Sequence, residues 1–269
     1  MIPAPFDYYA AESASHAIDL LAAHGEDAKL LAGGHSLLPM MKLRLAAPGV
    51  LIDIGRIREL AGITMQADEL VIGATTRHAA LAAAGLVRAQ SPLLAHAASL
   101  VGDPQIRHRG TIGGSLAHAD PAADLPMALV ALGGSVQVAG PAGARSLPAD
   151  DFFTGFFETA CQPGELITAV RVPCRPGVSW GYQKFVRRSN DWAIVGVAAI
   201  AGRIALASMG ATPLRARAAE QALADGASAE QAAQFAAVGT SPGEDIHADR
   251  SYREHLAKVL TARALGQQA

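Results

Sequence analysis

Ala32-Gly33-Gly34-His35-Ser36 and Thr111-Ile112-Gly113-Gly114-Ser115 share one local plan, in which an apolar run leads into a Gly-Gly pair and leucine follows at Leu37-Leu38 or at Leu116. A glycine pair lets the chain take positive φ and lets a ligand reach the main chain, so that successive N–H groups converge on anion oxygens. Neither stretch contains lysine or arginine. Neutralising a bound anion would therefore fall on amide dipoles and on the hydroxyls of Ser36, Thr111 and Ser115, which suits a tightly held dinucleotide better than a transferable phosphate. One such stretch alone reads as an ordinary turn. Two with the same flanks suggest one diphosphate cradle, and if both serve one ligand the two loops must meet in space.

The chain has 269 residues, of which 51% are hydrophobic, enough for a sizeable core divided into two or three subdomains. Its 22 basic and 24 acidic residues leave a formal net charge of -2 without long like-charge runs, so no footprint for nucleic acid is present. Met1-Ile2-Pro3-Ala4-Pro5-Phe6-Asp7 has neither a basic n-region nor an apolar core, and no run reaches the roughly 18 apolar residues of a membrane span. A cytoplasmic protein with no transmembrane segment is expected. The two cysteines, Cys161 and Cys174, read as reduced thiols. They are too few for an iron–sulfur cluster, and with no His-Glu-x-x-His or Cys-x-x-Cys there is no metal site to assign.

Helical spacing over residues 12–23 leads into a short strand at Lys29-Leu30-Leu31, followed by the first glycine stretch. Leu51–Ile54 reads as a strand, and Ile63–Gln66 with Glu69–Gly73 as a hairpin around Ala67-Asp68, so the first quarter is expected to be α+β with a mixed sheet. Thr76–Leu86 and Pro92–Val101 have helical spacing, whereas Ser135–Val138 and Ile167–Val172 restore strand periodicity. After Pro176, strands are expected at Trp180–Phe185, Ile194–Ile200 and Ile204–Ala207. Helices are expected at Ala216–Leu223, Glu230–Ala237 and Ser251–Leu265.

The run from Gly102-Asp103-Pro104-Gln105-Ile106-Arg107-His108-Arg109-Gly110 through Thr111–Ser115 to Leu116-Ala117-His118-Ala119-Asp120-Pro121-Ala122-Ala123-Asp124-Leu125-Pro126, with Ala32–Ser36 upstream, resembles the FAD-binding medium subunits of molybdenum hydroxylases. The likeness is nearest to the aerobic carbon monoxide dehydrogenase type and more distant to the flavin domain of xanthine dehydrogenase. It extends to the Asp191-Trp192-Ala193-Ile194-Val195-Gly196-Val197-Ala198 strand region. The resemblance implies an α+β fold in which two subdomains, residues 1–55 and 56–175, enclose FAD. Residues 176–269 would then form a C-terminal domain of the carbon monoxide dehydrogenase flavoprotein type, a three-stranded antiparallel sheet with a helical bundle.

By position, the resemblance places Leu31, Ala32, Gly33, Gly34, His35, Ser36 and Leu37 with Gly110, Thr111, Ile112, Gly113, Gly114 and Ser115 around the diphosphate and ribityl chain. Val101, Gly102, Ile106, Ala117, His118 and Asp124 would contact the cofactor, with Ile167 and Lys184 near the isoalloxazine. It implies a subunit that passes electrons and has no catalytic residue of its own. A large molybdopterin-binding subunit and a small subunit with 2Fe-2S clusters would be its partners, in a dimer of heterotrimers. Competing readings are a self-contained FAD-dependent oxidase or dehydrogenase and a non-catalytic FAD-binding assembly protein.

Several residues carry two readings. Asp124 is either a flavin hydrogen-bond acceptor or the N-cap of a helix over Leu125–Leu132. Lys184 is either a cation at the reduced ring or a strand-end surface lysine. Trp192, beside Arg187-Arg188-Ser189-Asn190-Asp191, either stacks on the flavin or packs in the core. His35 reads as a diphosphate hydrogen bond or loop packing, and His118 as a cofactor contact or a local backbone bond. Arg107 and Arg109 either pair with Asp103 or Asp120 or face a partner. Phe152-Phe153 and Gly155-Phe156-Phe157 form the densest aromatic patch, read as a partner contact or as a loop packed on its own sheet.

Overall fold

In the computed structural model, which describes residues 2–267, the strands form three sheets and a two-stranded ribbon. The first sheet holds β1 (Asp7–Ala10), β2 (Ala28–Leu31) and β3 (Val50–Asp53) in the order β1-β3-β2, every pair parallel. Parallel neighbours need a crossover. Helix α1 (Ala14–His24) carries the chain from β1 to β2, which flank β3, its first turn capped by the Ser13 side chain accepting from the His16 N–H. The short α2 (Leu37–Lys42) follows the first glycine stretch. The expected mixed sheet is thus corrected: the hairpin of β4 (Ile63–Gln66) and β5 (Glu69–Gly73) belongs to a second sheet. Strand β1 escaped the sequence reading because it is an edge strand exposed along its whole length, with no apolar alternation.

After β5 the chain runs through α3 (His78–Ala83), α4 (Gly85–Gln90), α5 (Pro92–Ser99), α6 (Pro104–Arg109), α7 (Ile112–His118) and α8 (Asp124–Leu132). The single helix expected over Thr76–Leu86 is broken at Ala84, whose ψ of 119° ends α3 and serves as the cap of α4. The hairpin β6 (Ser135–Gly140) and β7 (Gly143–Pro148), the short α9 (Ala149–Phe152), the ribbon β8 (Phe153–Gly155) with β9 (Glu158–Thr159), and β10 (Leu166–Pro173) complete this unit. The second sheet is antiparallel in the order β4-β5-β10-β6-β7. Both cysteines are free thiols.

The third sheet is antiparallel, β11 (Trp180–Phe185), β12 (Val195–Ile200), β13 (Arg203–Ala207) and β14 (Leu214–Arg215). It has four strands where three were expected, because a two-residue strand such as β14 leaves no periodicity to read. Helices α10 (Arg217–Ala224), α11 (Ala229–Ala233) and α12 (Arg250–Gly266) follow. The helix expected to reach Ala237 stops at Ala233, and turns take over. Every residue of β12 is buried because α8 lies against one face of the sheet and α12 against the other. Helix α8 is itself buried at all nine positions, and its core is continuous with Tyr182, Ala198 and Ala205 of the third sheet.

Candidate functional site

Between the end of β2 and the start of α2, the chain turns through Ala32–Ser36. Among the described residues, the N–H groups of Gly33, Gly34, His35 and Ser36 donate to no protein acceptor, whereas the Gly34 and Ser36 carbonyls accept from Leu38 and Met40. Four consecutive open donors on one turn are available to an acceptor from outside the chain. Gly34 takes φ of +77°, a conformation that glycine adopts without penalty. Gly33 does not need positive φ. A Cβ there would lie 2.6 Å from the Arg109 carbonyl oxygen and 3.0 Å from the Gly110 Cα, so glycine is required by the close approach of the second glycine region. The first stretch therefore abuts Arg109–Gly110, which lead directly into the second. The exposed His35 reinforces the junction, its Nε2 lying 3.3 Å from the Gln105 carbonyl.

The second stretch departs from expectation, since it is the first turn of α7 and not a loop of bare amides. Thr111 is the N-cap, its hydroxyl accepting from the Gly114 N–H at 3.1 Å. The Ile112 N–H donates to Thr76, the Gly113 N–H to Ala74 and the Ser115 N–H to Thr111. Of this stretch only the Thr111 N–H lacks a protein acceptor among the described residues. Neither Gly113 nor Gly114 has positive φ. Gly113 is there because a Cβ would sit 2.8 Å from the Ala74 carbonyl, and Gly114 because one would sit 2.7 Å from the Thr111 hydroxyl. Ile112 is buried, while Gly114, Ser115 and Ala117 keep an open face.

A buried polar group links β11 to the start of α8. The Lys184 side chain on β11 is 7% exposed and donates from Nζ to Asp124 Oδ2 at 2.9 Å and to the Leu100 carbonyl at 3.3 Å. The Tyr182 hydroxyl donates to Asp124 Oδ1 at 2.5 Å. Burial pushes the Asp124 carboxyl upward, opposed first by the Lys184 charge and then by the Tyr182 hydroxyl, while burial and the neighbouring carboxylate hold Tyr182 well above its ordinary value. The surface reading of Lys184 is thereby overturned. So is the N-cap reading of Asp124: it is the first residue inside α8, and Ala123 occupies the cap. Lys184 and the Leu100–Gly102 corner are brought together; Val101 is buried, and Gly102, at φ +49°, packs under the half-buried Ile106. Ile167 is buried in β10.

Trp192 is 54% exposed, which overturns its core reading. It lines a cavity of about 280 Å³ with Arg187, Arg188, Asp191, Ile194 and His247. Arg107 pairs with neither aspartate, donating instead to the Val101 and Gly102 carbonyls at 3.0 and 2.9 Å. Asp103 caps α6, Asp120 accepts from the Ala122 N–H, and Arg109 forms no ion pair among the described residues. His118 stacks against Phe157 at 4.9 Å, and burial lowers its pKa. Phe152 and Phe153 are buried, while Phe156 and Phe157 stand exposed at the tip between β8 and β9. Leu31, Ala32 and Leu37 are half-buried along the first loop.

Two residues beside the cradle went unread in the sequence. His78 is buried against Gly110, and its Nδ1 has no partner among the described residues. Arg77 donates to the Arg109 carbonyl. A single histidine or arginine in an alanine-rich segment carries no spacing signal. Among the described residues no cluster of three or more His, Cys, Asp or Glu is placed to hold a metal ion, and no helix is long and apolar enough to cross a membrane.

The open amides at Gly33–Ser36, the exposed Gly114 on α7 and the absence of an acidic side chain among Ala32–Ser36 and Thr111–Ser115 fit a diphosphate-linked dinucleotide. Residues 4–175 match the family described as the FAD binding domain in molybdopterin dehydrogenase, and residues 180–268 match the CO dehydrogenase flavoprotein C-terminal domain. The chain therefore belongs to the FAD-binding medium subunits of the molybdenum hydroxylases, and it is an oxidoreductase subunit. It is 43% identical to the carbon monoxide dehydrogenase medium chain of Hydrogenophaga pseudoflava, covering 98% of this chain and 97% of that one. To subunit alpha of the 6-hydroxypseudooxynicotine dehydrogenase complex of Paenarthrobacter nicotinovorans it is 39% identical, covering 99% and 95%. A solved carbon monoxide dehydrogenase from Hydrogenophaga pseudoflava, a form lacking the Mo-pyranopterin moiety of its molybdenum cofactor, superposes with a TM-score of 0.96 at 45% identity, covering 100% of this chain and 98% of the other.

Proposed function

We propose that this chain is the electron-transfer subunit of a heterotrimeric molybdenum and iron–sulfur hydroxylase, in which a large molybdopterin-binding subunit oxidises the substrate. It would take electrons from the 2Fe-2S clusters of a small subunit and hand them to an external acceptor, the whole assembling as a dimer of heterotrimers. The observation that carries the reading is the row of open N–H groups at Gly33–Ser36 pressed against Arg109–Gly110. When bound, FAD supplies stepwise acceptance of electrons and their onward release singly or in pairs.

The chain's own residues bind and orient. The Gly33–Ser36 amides, the Ser36 and Ser115 hydroxyls and the Thr111 N–H hold the diphosphate, while Leu31, Ala32 and Leu37 on one side and Gly110, Ile112, Gly113 and Gly114 on the other shape the walls. Val101, Gly102, Ile106, Ala117, His118 and Ile167 line the remainder. Lys184, held by Asp124 and Tyr182, keeps a positive charge beside the ring, and Trp192 shields one ring face. Residues 1–55 and 56–175 act as the two halves of the site, with 176–269 as the C-terminal domain. A substrate base is not needed in this role, and no side chain is given one.

The test is an absorbance spectrum with acid release of the nucleotide, followed by anaerobic mixing with a reduced iron–sulfur subunit. FAD in the acid extract, and bleaching of the protein-bound flavin on mixing, are the expected results. A colourless, folded protein that refuses added FAD overturns the reading. Bleaching by an organic substrate without any partner would favour a self-contained flavin enzyme instead.

A further inference from the structure

We infer that Arg77 is a cofactor-positioning residue, supplying beside the cradle the cation that both glycine stretches lack and pinning the Arg109 carbonyl against Gly33; this rests on the FAD reading above. Arg77 precedes α3, and its half-buried side chain crosses to the junction of the first sheet with the second unit. Nη1 donates to the Arg109 carbonyl oxygen, the same atom that a Cβ on Gly33 would approach to 2.6 Å. Nη2 lies 3.8 Å from the position a Cβ on Gly55 would take, and that position is 3.2 Å from the Ala32 carbonyl. The guanidinium is therefore lodged between Ala32–Gly33 and Arg109–Gly110, the two segments that make the cradle.

Its surroundings are short of negative charge. Burial and the like charge of Arg109 both disfavour the cation, and Asp53 offsets them only in part. Asp53 is already engaged, accepting from the Gly55 N–H and the Tyr8 hydroxyl, each at 2.7 Å. Among the described residues, no carboxylate comes within ion-pairing distance of Arg77. Of the other cations, Arg107 is committed to two carbonyls and Lys184 to Asp124, whereas Arg109 forms no ion pair among the described residues and its carbonyl accepts from Arg77. An anion at the Gly33–Ser36 amides would meet a guanidinium one carbonyl away, at a partly buried site where screening by salt is weak.

The experiment uses the full-length protein stripped of flavin and measures affinities for FAD, ADP and adenosine by calorimetry in native, Arg77→Gln and Arg77→Lys forms, with Tm for each. Gln keeps an amide donor but no charge, and Lys keeps the charge but no fork. Arg77→Gln is expected to bind ADP and FAD about tenfold more weakly with adenosine unchanged. Arg77→Lys is expected to retain most of the ADP affinity. Unchanged ADP affinity in Arg77→Gln, or equal losses for ADP and adenosine, overturns the inference while leaving the FAD reading standing. Should Arg77→Gln lose its melting transition, Arg77→Lys decides: retained ADP affinity supports the role of charge, and an equal loss for ADP and adenosine overturns it. Failure of the native protein to bind FAD overturns the function and this inference together.

Discussion

His78 illustrates what burial alone does to a single side chain at this site. Enclosed beside Gly110 with Nδ1 unpartnered, its imidazole is pushed from 6.5 down to about 4, first by burial and then by the nearby His35, Arg77 and Arg107. The folded protein holds it neutral, while the unfolded chain takes up a proton below about pH 6.5. Its contribution is therefore intact above that pH and is lost as pH falls towards 4, up to about 3 kcal/mol across the window. Urea unfolding of native and His78→Gln protein at about pH 7 and about pH 5 checks this. The native protein should lose more stability on acidification than the variant, and parallel losses would show that other groups dominate. The same residue scale separates the glycines: Gly34 is needed for φ, Gly33 and Gly113 for close approach. Sequence identifies the residue type but not which of these reasons applies.

At the scale of elements, the second glycine stretch is the instructive case. A Gly-Gly pair is poor helix material, so Thr111–Ser115 reads as a loop. The cost is small in a first turn, where the Thr111 cap and the carbonyls of Ala74 and Thr76 take up the amides. Thr111→Val keeps the shape and removes the cap, and is expected to destabilise by about 1 kcal/mol, read from denaturant midpoints at unchanged m-value. A stability equal to native would mean that the cap bond contributes nothing net. Long patterned elements were legible: β12 and α12 fall within a few residues of expectation. The two-residue β14 and the exposed β1 were not, because neither buries an apolar face that leaves a pattern.

Across the whole molecule, the C-terminal unit is joined to the middle one through a shared core at α8 and through ions at its rim. Asp150 on α9 accepts from Arg203 of β13 at 2.7 Å and Arg215 of β14 at 3.2 Å, while Arg203 also reaches the Val130 and Ala131 carbonyls near the end of α8. Asp150 is partly exposed, so the pairs are screened and Asp150→Ala should lower stability by only about 1 kcal/mol. The sharper readout is hydrogen exchange. Protection should fall in β13, β14 and α10 and stay unchanged in the first sheet; a uniform fall would place the ions in global stability instead of this junction.

The sequence by itself determined the class of fold and marked the two glycine stretches, because hydrophobic period and glycine pairs are local signals, while the contact of Gly33 with Arg109–Gly110 is a product of packing. Only the tertiary structure decided how the amides divide between ligand and protein, since whether an N–H is free depends on which distant carbonyl comes to meet it. Ala74 and Thr76 satisfy α7, and nothing among the described residues satisfies Gly33–Ser36. The same holds for charge: Lys184 is buried by α8, and Arg77 stands at the cradle, because packing brings together residues separated by tens of positions in the chain.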